Sequence, residues 1–175
     1  MKVVLVGFMG SGKSTVGKLL SERLGVQLVD TDVEVEKRTG MSIPEIFVKK
    51  GEEYFRNLER RIVEELLTLP KDLVISTGGG LPAYSDNMEL LNEKAFTVYL
   101  EADFEVLWSR IADDRSRPLV SLGKEKVREL FERRRPFYEK AKLRVRTDVN
   151  SPTTCVVEIL NALPSSNSGA QEDPP

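Results

Sequence analysis

At 175 residues the chain has room for one domain with a full core, and too little for two ordinary ones. Charged residues make up 31% and apolar residues 40%, as expected of a globular protein in water, and no apolar run approaches the ~20 residues that span a bilayer. A net charge of −2 argues against a nucleic-acid partner, and the absence of histidine leaves acid–base chemistry to carboxylates, lysines or water.

The first predicted element is a buried strand, Lys2 to Val6, which runs into Gly7-Phe8-Met9-Gly10-Ser11-Gly12-Lys13-Ser14. That stretch fits the phosphate-loop pattern G-x-x-x-x-G-K-[ST], and Val16, Leu19, Leu20 and Leu24 then recur at helical spacing. Glycines let successive N–H groups turn inward, and the helix N-terminus adds a favourable dipole for an anion. The pattern implies a nucleoside triphosphate, with Lys13 reaching its outer phosphates and the Ser14 hydroxyl ligating Mg²⁺. A second strand, Val26 to Val29, ends in Asp30-Thr31-Asp32, followed by a polar helix closed by Gly40. Ser42 and Glu45 have capping-box spacing for a short helix through Phe47 and Val48, which Gly51 ends. From Glu52 a longer helix carries Phe55, Leu58, Ile62 and Leu66 on one face.

Leu73 to Ser76 is a third strand, running into Gly78-Gly79-Gly80, and Phe96 to Leu100 is a fourth. Asp103 is placed to cap a helix with Phe104, Leu107, Trp108 and Ile111 inward. The stretch from Asp113 to Gly123 is polar and aperiodic, as a mobile loop would be, and a basic helix follows from Lys124 to about Tyr138. A last strand from Leu143 precedes a helix from about Pro152 to Leu163, in which the single Cys155 reads as a small core residue. One cysteine excludes an internal disulfide and fits a reducing, cytoplasmic compartment; no signal peptide is evident. From Pro164 to Pro175 the composition predicts a disordered tail. The order of elements implies right-handed βαβ units, hence an α/β fold with a central parallel sheet of about five strands and helices on both faces. Ligands in such sheets sit beyond the carboxyl ends of the strands, where Gly7–Ser14, Asp30–Asp32 and Gly78–Gly80 all fall.

Several of these residues have two readings on spacing alone. Asp30 and Asp32 either serve a phosphate-bound metal and an acceptor hydroxyl, or cap a helix. Arg56 either forms a surface ion pair with Glu59 or is held by it to grip a carboxylate. The glycine run is either a loose turn or a place where something approaches the main chain closely. Arg115 and Arg117 either belong to a lid that carries an arginine over the γ-phosphate or are simply solvated. Arg133, Arg134 and Arg135 end a helix, where cations are favoured in any case.

In combination, Gly10-Ser11-Gly12-Lys13-Ser14-Thr15, Asp30-Thr31-Asp32, Phe55-Arg56-x-x-Glu59, Gly78-Gly79-Gly80, Arg117-Pro118-Leu119 and Arg135-Pro136-x-Tyr138 closely resemble the shikimate kinase family over residues 1–163. The resemblance implies a three-layer phosphate-loop kinase with an acceptor segment at about 32–60 and a lid at about 112–124. It implies ATP-dependent phosphorylation of the shikimate 3-hydroxyl, in aromatic amino-acid biosynthesis, by a monomer whose partners are ATP, Mg²⁺ and shikimate, with neither nucleic acid nor membrane. On the family's motifs, Asp32 would bind the shikimate hydroxyls and act as base, while Arg56, Glu59, the Gly78-Gly79-Gly80 run and Arg135 would form the acceptor site. Gly10, Ser11, Gly12, Lys13, Ser14 and Thr15 would cradle the phosphates, with Lys13 and Arg117 stabilising transferred charge. Ser14 and Asp30 would hold the metal, and Arg110 and Pro152 would flank the adenine. A gluconate kinase would share the loop and lid but has no use for arginines converging on a carboxylate; a non-catalytic nucleotide switch has no use for an acceptor pocket.

Overall fold

A computed structural model describes residues 1–165, so the predicted tail lies almost wholly outside the described residues. In chain order it contains β1 (Lys2–Val6), α1 (Lys13–Leu24), β2 (Gln27–Asp30), α2 (Thr31–Thr39), α3 (Ile43–Lys50) and α4 (Glu52–Thr68). Then follow β3 (Leu73–Ser76), α5 (Asn87–Lys94), β4 (Phe96–Glu101), α6 (Phe104–Ile111), α7 (Lys124–Tyr138), β5 (Leu143–Arg146) and α8 (Pro152–Ala162).

The strands form one parallel sheet in the order β2-β3-β1-β4-β5. Period-two alternation sorts the core into two layers. Val3 and Leu5 of β1 pack with Val16 and Leu20 of α1 and Cys155, Val156 and Ile159 of α8. Val4 and Val6 point the other way, to a larger layer built from α2 to α7 that includes Val35, Ile62, Met88, Phe104, Phe131 and Tyr138. The chain leaves β1 toward β2 on one side and returns past it from β3 to β4. The topological switch point, where open α/β sheets place their ligands, therefore lies at the carboxyl end of β1.

Local details differ from the sequence reading in three places. α5 was not anticipated, because eight residues with only Met88 and Leu91 as large buried side chains leave little periodic signal. Asp103 occupies the N-cap of α6, but its carboxylate accepts from Arg146 Nη2 at 3.1 Å instead of capping the helix. The aperiodic 113–123 stretch contains a 3₁₀ turn at Pro118–Leu122, with no buried residue from 112 to 123. Among the described residues no helix is long and apolar enough to cross a membrane.

Candidate active site

A cavity of about 520 Å³ opens at the switch point. The phosphate loop from Met9 to Thr15 forms its floor, with Asp30, Asp32, Ser76, Thr77, Gly78 and Gly79 on one side and Arg110, Arg117, Thr147, Asn150 and Pro152 on the other. The loop's shape depends on Gly12, whose φ of 98° at the N-cap of α1 lies in the left-handed region that residues with a Cβ avoid. Lys13 folds back along the loop, its Nζ donating to Gly7 O at 2.6 Å and Phe8 O at 3.0 Å. Burial brings its ammonium down to about 8, against the opposing pull of Asp32, so it stays charged at neutral pH.

Asp30 caps α2, its Oδ1 accepting from Asp32 N at 2.8 Å and Val33 N at 3.2 Å, and it lines the cavity together with the exposed Ser14. Hard oxygen donors of this kind suit a magnesium ion that arrives on a triphosphate and keeps part of its water. Among the described residues, no three His, Cys, Asp or Glu side chains are grouped to hold a metal alone.

The glycine run explains itself through its neighbours. A Cβ on Gly78 would lie 2.4 Å from Asp32 Oδ1, one on Gly79 3.3 Å from Arg134 Nη1, and one on Gly80 2.5 Å from Arg56 Nη2. Each glycine thus admits one charged side chain against the main chain. Thr31 ties the run to the start of α2, its hydroxyl accepting from Gly78 N at 3.0 Å. Asp32 is driven up to about 6 by burial, and secondarily by Asp30, with Lys13 and Arg56 opposing. Arg56 is 8% exposed and donates to Glu59 Oε2 at 2.8 Å; Glu59, 1% exposed, is buried against that guanidinium. Burial raises Glu59 despite this partner.

Arg135 is not brought to this site. Its side chain is half exposed, paired with Glu132 at 3.0 Å and Glu139 at 3.5 Å, and it lines a separate cavity with Tyr99, Glu101 and Arg144. The helical period gives the reason. Val127, Phe131 and Tyr138 point inward from α7, and position 134 falls on that face while 135 is turned about 100° away. Arg134 therefore reaches the glycine run, and its guanidinium also lies 6.0 Å from the centre of the Phe8 ring in the phosphate loop. No carboxylate among the described residues pairs with it. The signal that would have found Arg134 was in the sequence, as its spacing from Phe131 and Tyr138.

Arg110, Arg117 and Pro152 also line the cavity. Arg110 Nη1 donates to Gly10 O at 2.9 Å and its Nη2 to Thr147 O at 2.7 Å, tying the loop to the turn before Pro152. That turn is held by Asp148, which accepts from Arg146 at 2.6 Å and from Asp103 N at 3.0 Å. Arg117 borders the cavity from the exposed 112–124 segment, its Nε donating to Asp114 Oδ2 at 3.0 Å.

A phosphate loop at the switch point of a parallel sheet, with Asp32, Arg56 and Arg134 gathered against the neighbouring glycine run, fits a small-molecule kinase of the phosphate-loop class. The shikimate kinase family model matches residues 9–164. A shikimate kinase from Persephonella marina is 47% identical over 161 residues, 92% of this chain and 98% of that one. The crystal structure of shikimate kinase from Aquifex aeolicus is 44% identical, with a TM-score of 0.82 over 92% of this chain and 95% of its own. That of the Acinetobacter baumannii enzyme in complex with shikimate is 38% identical, with a TM-score of 0.84 over 91% and 90%. The chain belongs to the shikimate kinase family.

Proposed function

We propose that this protein transfers the γ-phosphoryl group of ATP to the 3-hydroxyl of shikimate, releasing ADP and shikimate 3-phosphate. One observation carries the reading: Asp32, Arg134 and Arg56 stand against three consecutive glycines beside the phosphate loop. An acceptor with one carboxylate and several hydroxyls needs cations at one end and an acid at the other. The Acinetobacter relative, named as a complex with shikimate, supports the same assignment.

Arg56 and Arg134 hold the carboxylate, Arg56 in the orientation set by Glu59. Asp32 accepts hydrogen bonds from the hydroxyls and aims the 3-hydroxyl at the γ-phosphorus. A P–O bond forms to that oxygen as the bond to the β–γ bridging oxygen breaks, and the hydroxyl proton passes to Asp32. Because phosphoryl transfer is loose, aiming matters more than early proton removal. Lys13 and Arg117 balance charge on the phosphate oxygens, and the 112–124 segment closes to exclude water. Arg110 and Pro152 flank the adenine. Ser14 and Asp30 hold magnesium, which when bound supplies Lewis-acid neutralisation of the phosphates.

A coupled ADP-release assay with shikimate, gluconate or no acceptor tests this. Turnover is expected with shikimate alone, and it should vanish on chelation with EDTA and return with Mg²⁺. Equal rates with and without an acceptor would reject the kinase reading.

A further inference from the structure

Tyr138 closes the Arg135-Pro136-x-Tyr138 motif and follows Arg134 by about one turn of α7, yet the reaction as derived does not use it. It is fully buried and cannot touch the acceptor. Its hydroxyl donates to Gly79 O at 2.5 Å. From the point where a Gly79 Cβ would sit, Tyr138 Oη is 3.6 Å away and Arg134 Nη1 3.3 Å away, so phenol, guanidinium and glycine main chain meet there. With its one proton committed to the carbonyl, the hydroxyl keeps its lone pairs free for a donor, and the nearby phenol favours the charged form of Arg134. The Tyr99 ring, 5.4 Å away between centres, backs the phenol, and burial keeps that phenol protonated at any working pH.

The two arginines are thus secured differently. Arg56 is held by an anion, Glu59, which neutralises much of its charge. Arg134 has no such partner among the described residues, and burial together with nearby Arg56 works against its charged form. A carboxylate at position 138 would satisfy Arg134 and compete with the ligand's own carboxylate. A neutral phenol orients the guanidinium while leaving its charge for the ligand.

We infer that Tyr138 is a positioning residue that locks Gly79 and aims Arg134 at the acceptor's carboxylate. This rests on the acceptor assignment above. Tyr138→Phe keeps the ring and deletes the hydroxyl. The KM for shikimate should rise about five- to twentyfold, while kcat at saturating shikimate, the KM for ATP and the Tm stay near those of the unaltered protein. An analogue with a hydroxymethyl group in place of the carboxylate should inhibit both proteins equally. In an Arg134→Lys background the same change should add less than about twofold, because its effect runs through the guanidinium. An unchanged shikimate KM overturns the inference, as do losses spread equally over both substrates and Tm, which would make Tyr138 a packing residue only. No turnover of shikimate by the unaltered protein would instead overturn the acceptor assignment, and this inference with it.

Discussion

At Asp32 two demands conflict. Burial lifts its carboxyl from an ordinary 3.8 to about 6, so folding favours the protonated form while the proposed role in the reaction needs the ionised one. Between those values the folded state binds more protons than the unfolded chain. Stability therefore falls as pH rises through this window, and the loss is complete above about 6. Asp32→Asn removes the conflict at the expense of the chemistry. We expect kcat to drop by about two orders of magnitude or more with ATP affinity retained, and the Tm at pH 8 to rise by several degrees, reflecting roughly 1–3 kcal/mol. At pH 4 the two proteins should melt alike. Retained turnover would remove Asp32 from the mechanism, and an unchanged Tm at pH 8 would show that its ionisation is not opposed by the fold. In the unaltered protein, kcat/KM for shikimate should fall below about pH 6, tenfold per pH unit in the limit.

Among the elements, the glycine run and α7 decide what the acceptor meets. At Gly78 and Gly80 an added methyl would encounter the far ends of Asp32 and Arg56 instead of backbone, so the fold can yield while the site cannot. Gly78→Ala should act mainly on kcat by displacing Asp32, and Gly80→Ala mainly on the shikimate KM by displacing Arg56. About tenfold or more is expected in each case, with the ATP KM unchanged. Steady-state kinetics on the pair would show this split, and identical profiles would refute it. α7 shows how finely a helix must be read. The motif singles out Arg135, next to Pro136, but a single step along a helix turns a side chain by about 100°, and Arg135 faces away from the glycine run. Arg135 ends among Glu132 and Glu139, while Arg134 reaches Gly79. Hydrophobic period was the better guide here than adjacency.

On the scale of the whole molecule, the phosphate loop and the glycine run meet at the carboxyl ends of the strands, and the 112–124 segment beside them has no buried residue from 112 to 123. Its exposure makes the bond after Arg115 open to trypsin. If the segment closes over both ligands, ADP plus shikimate should slow cleavage there several-fold, whereas shikimate alone should protect less. Equal cleavage rates in all three states would mean that no closure occurs.

The phosphate loop, the strand–helix alternation and the charged residues at strand ends were legible from residues 1 to 163 alone, because local pattern is what they consist of. That Asp30 caps α2 while lining the cavity, that Glu59 is buried against Arg56, and that Arg134 and not Arg135 reaches the glycine run emerged only on folding. Those facts depend on which side chains from β2, α4, β3 and α7 come within a few ångströms of one another. Residues so far apart along the chain have no local signature of their meeting, and strand order and helix rotation settle it.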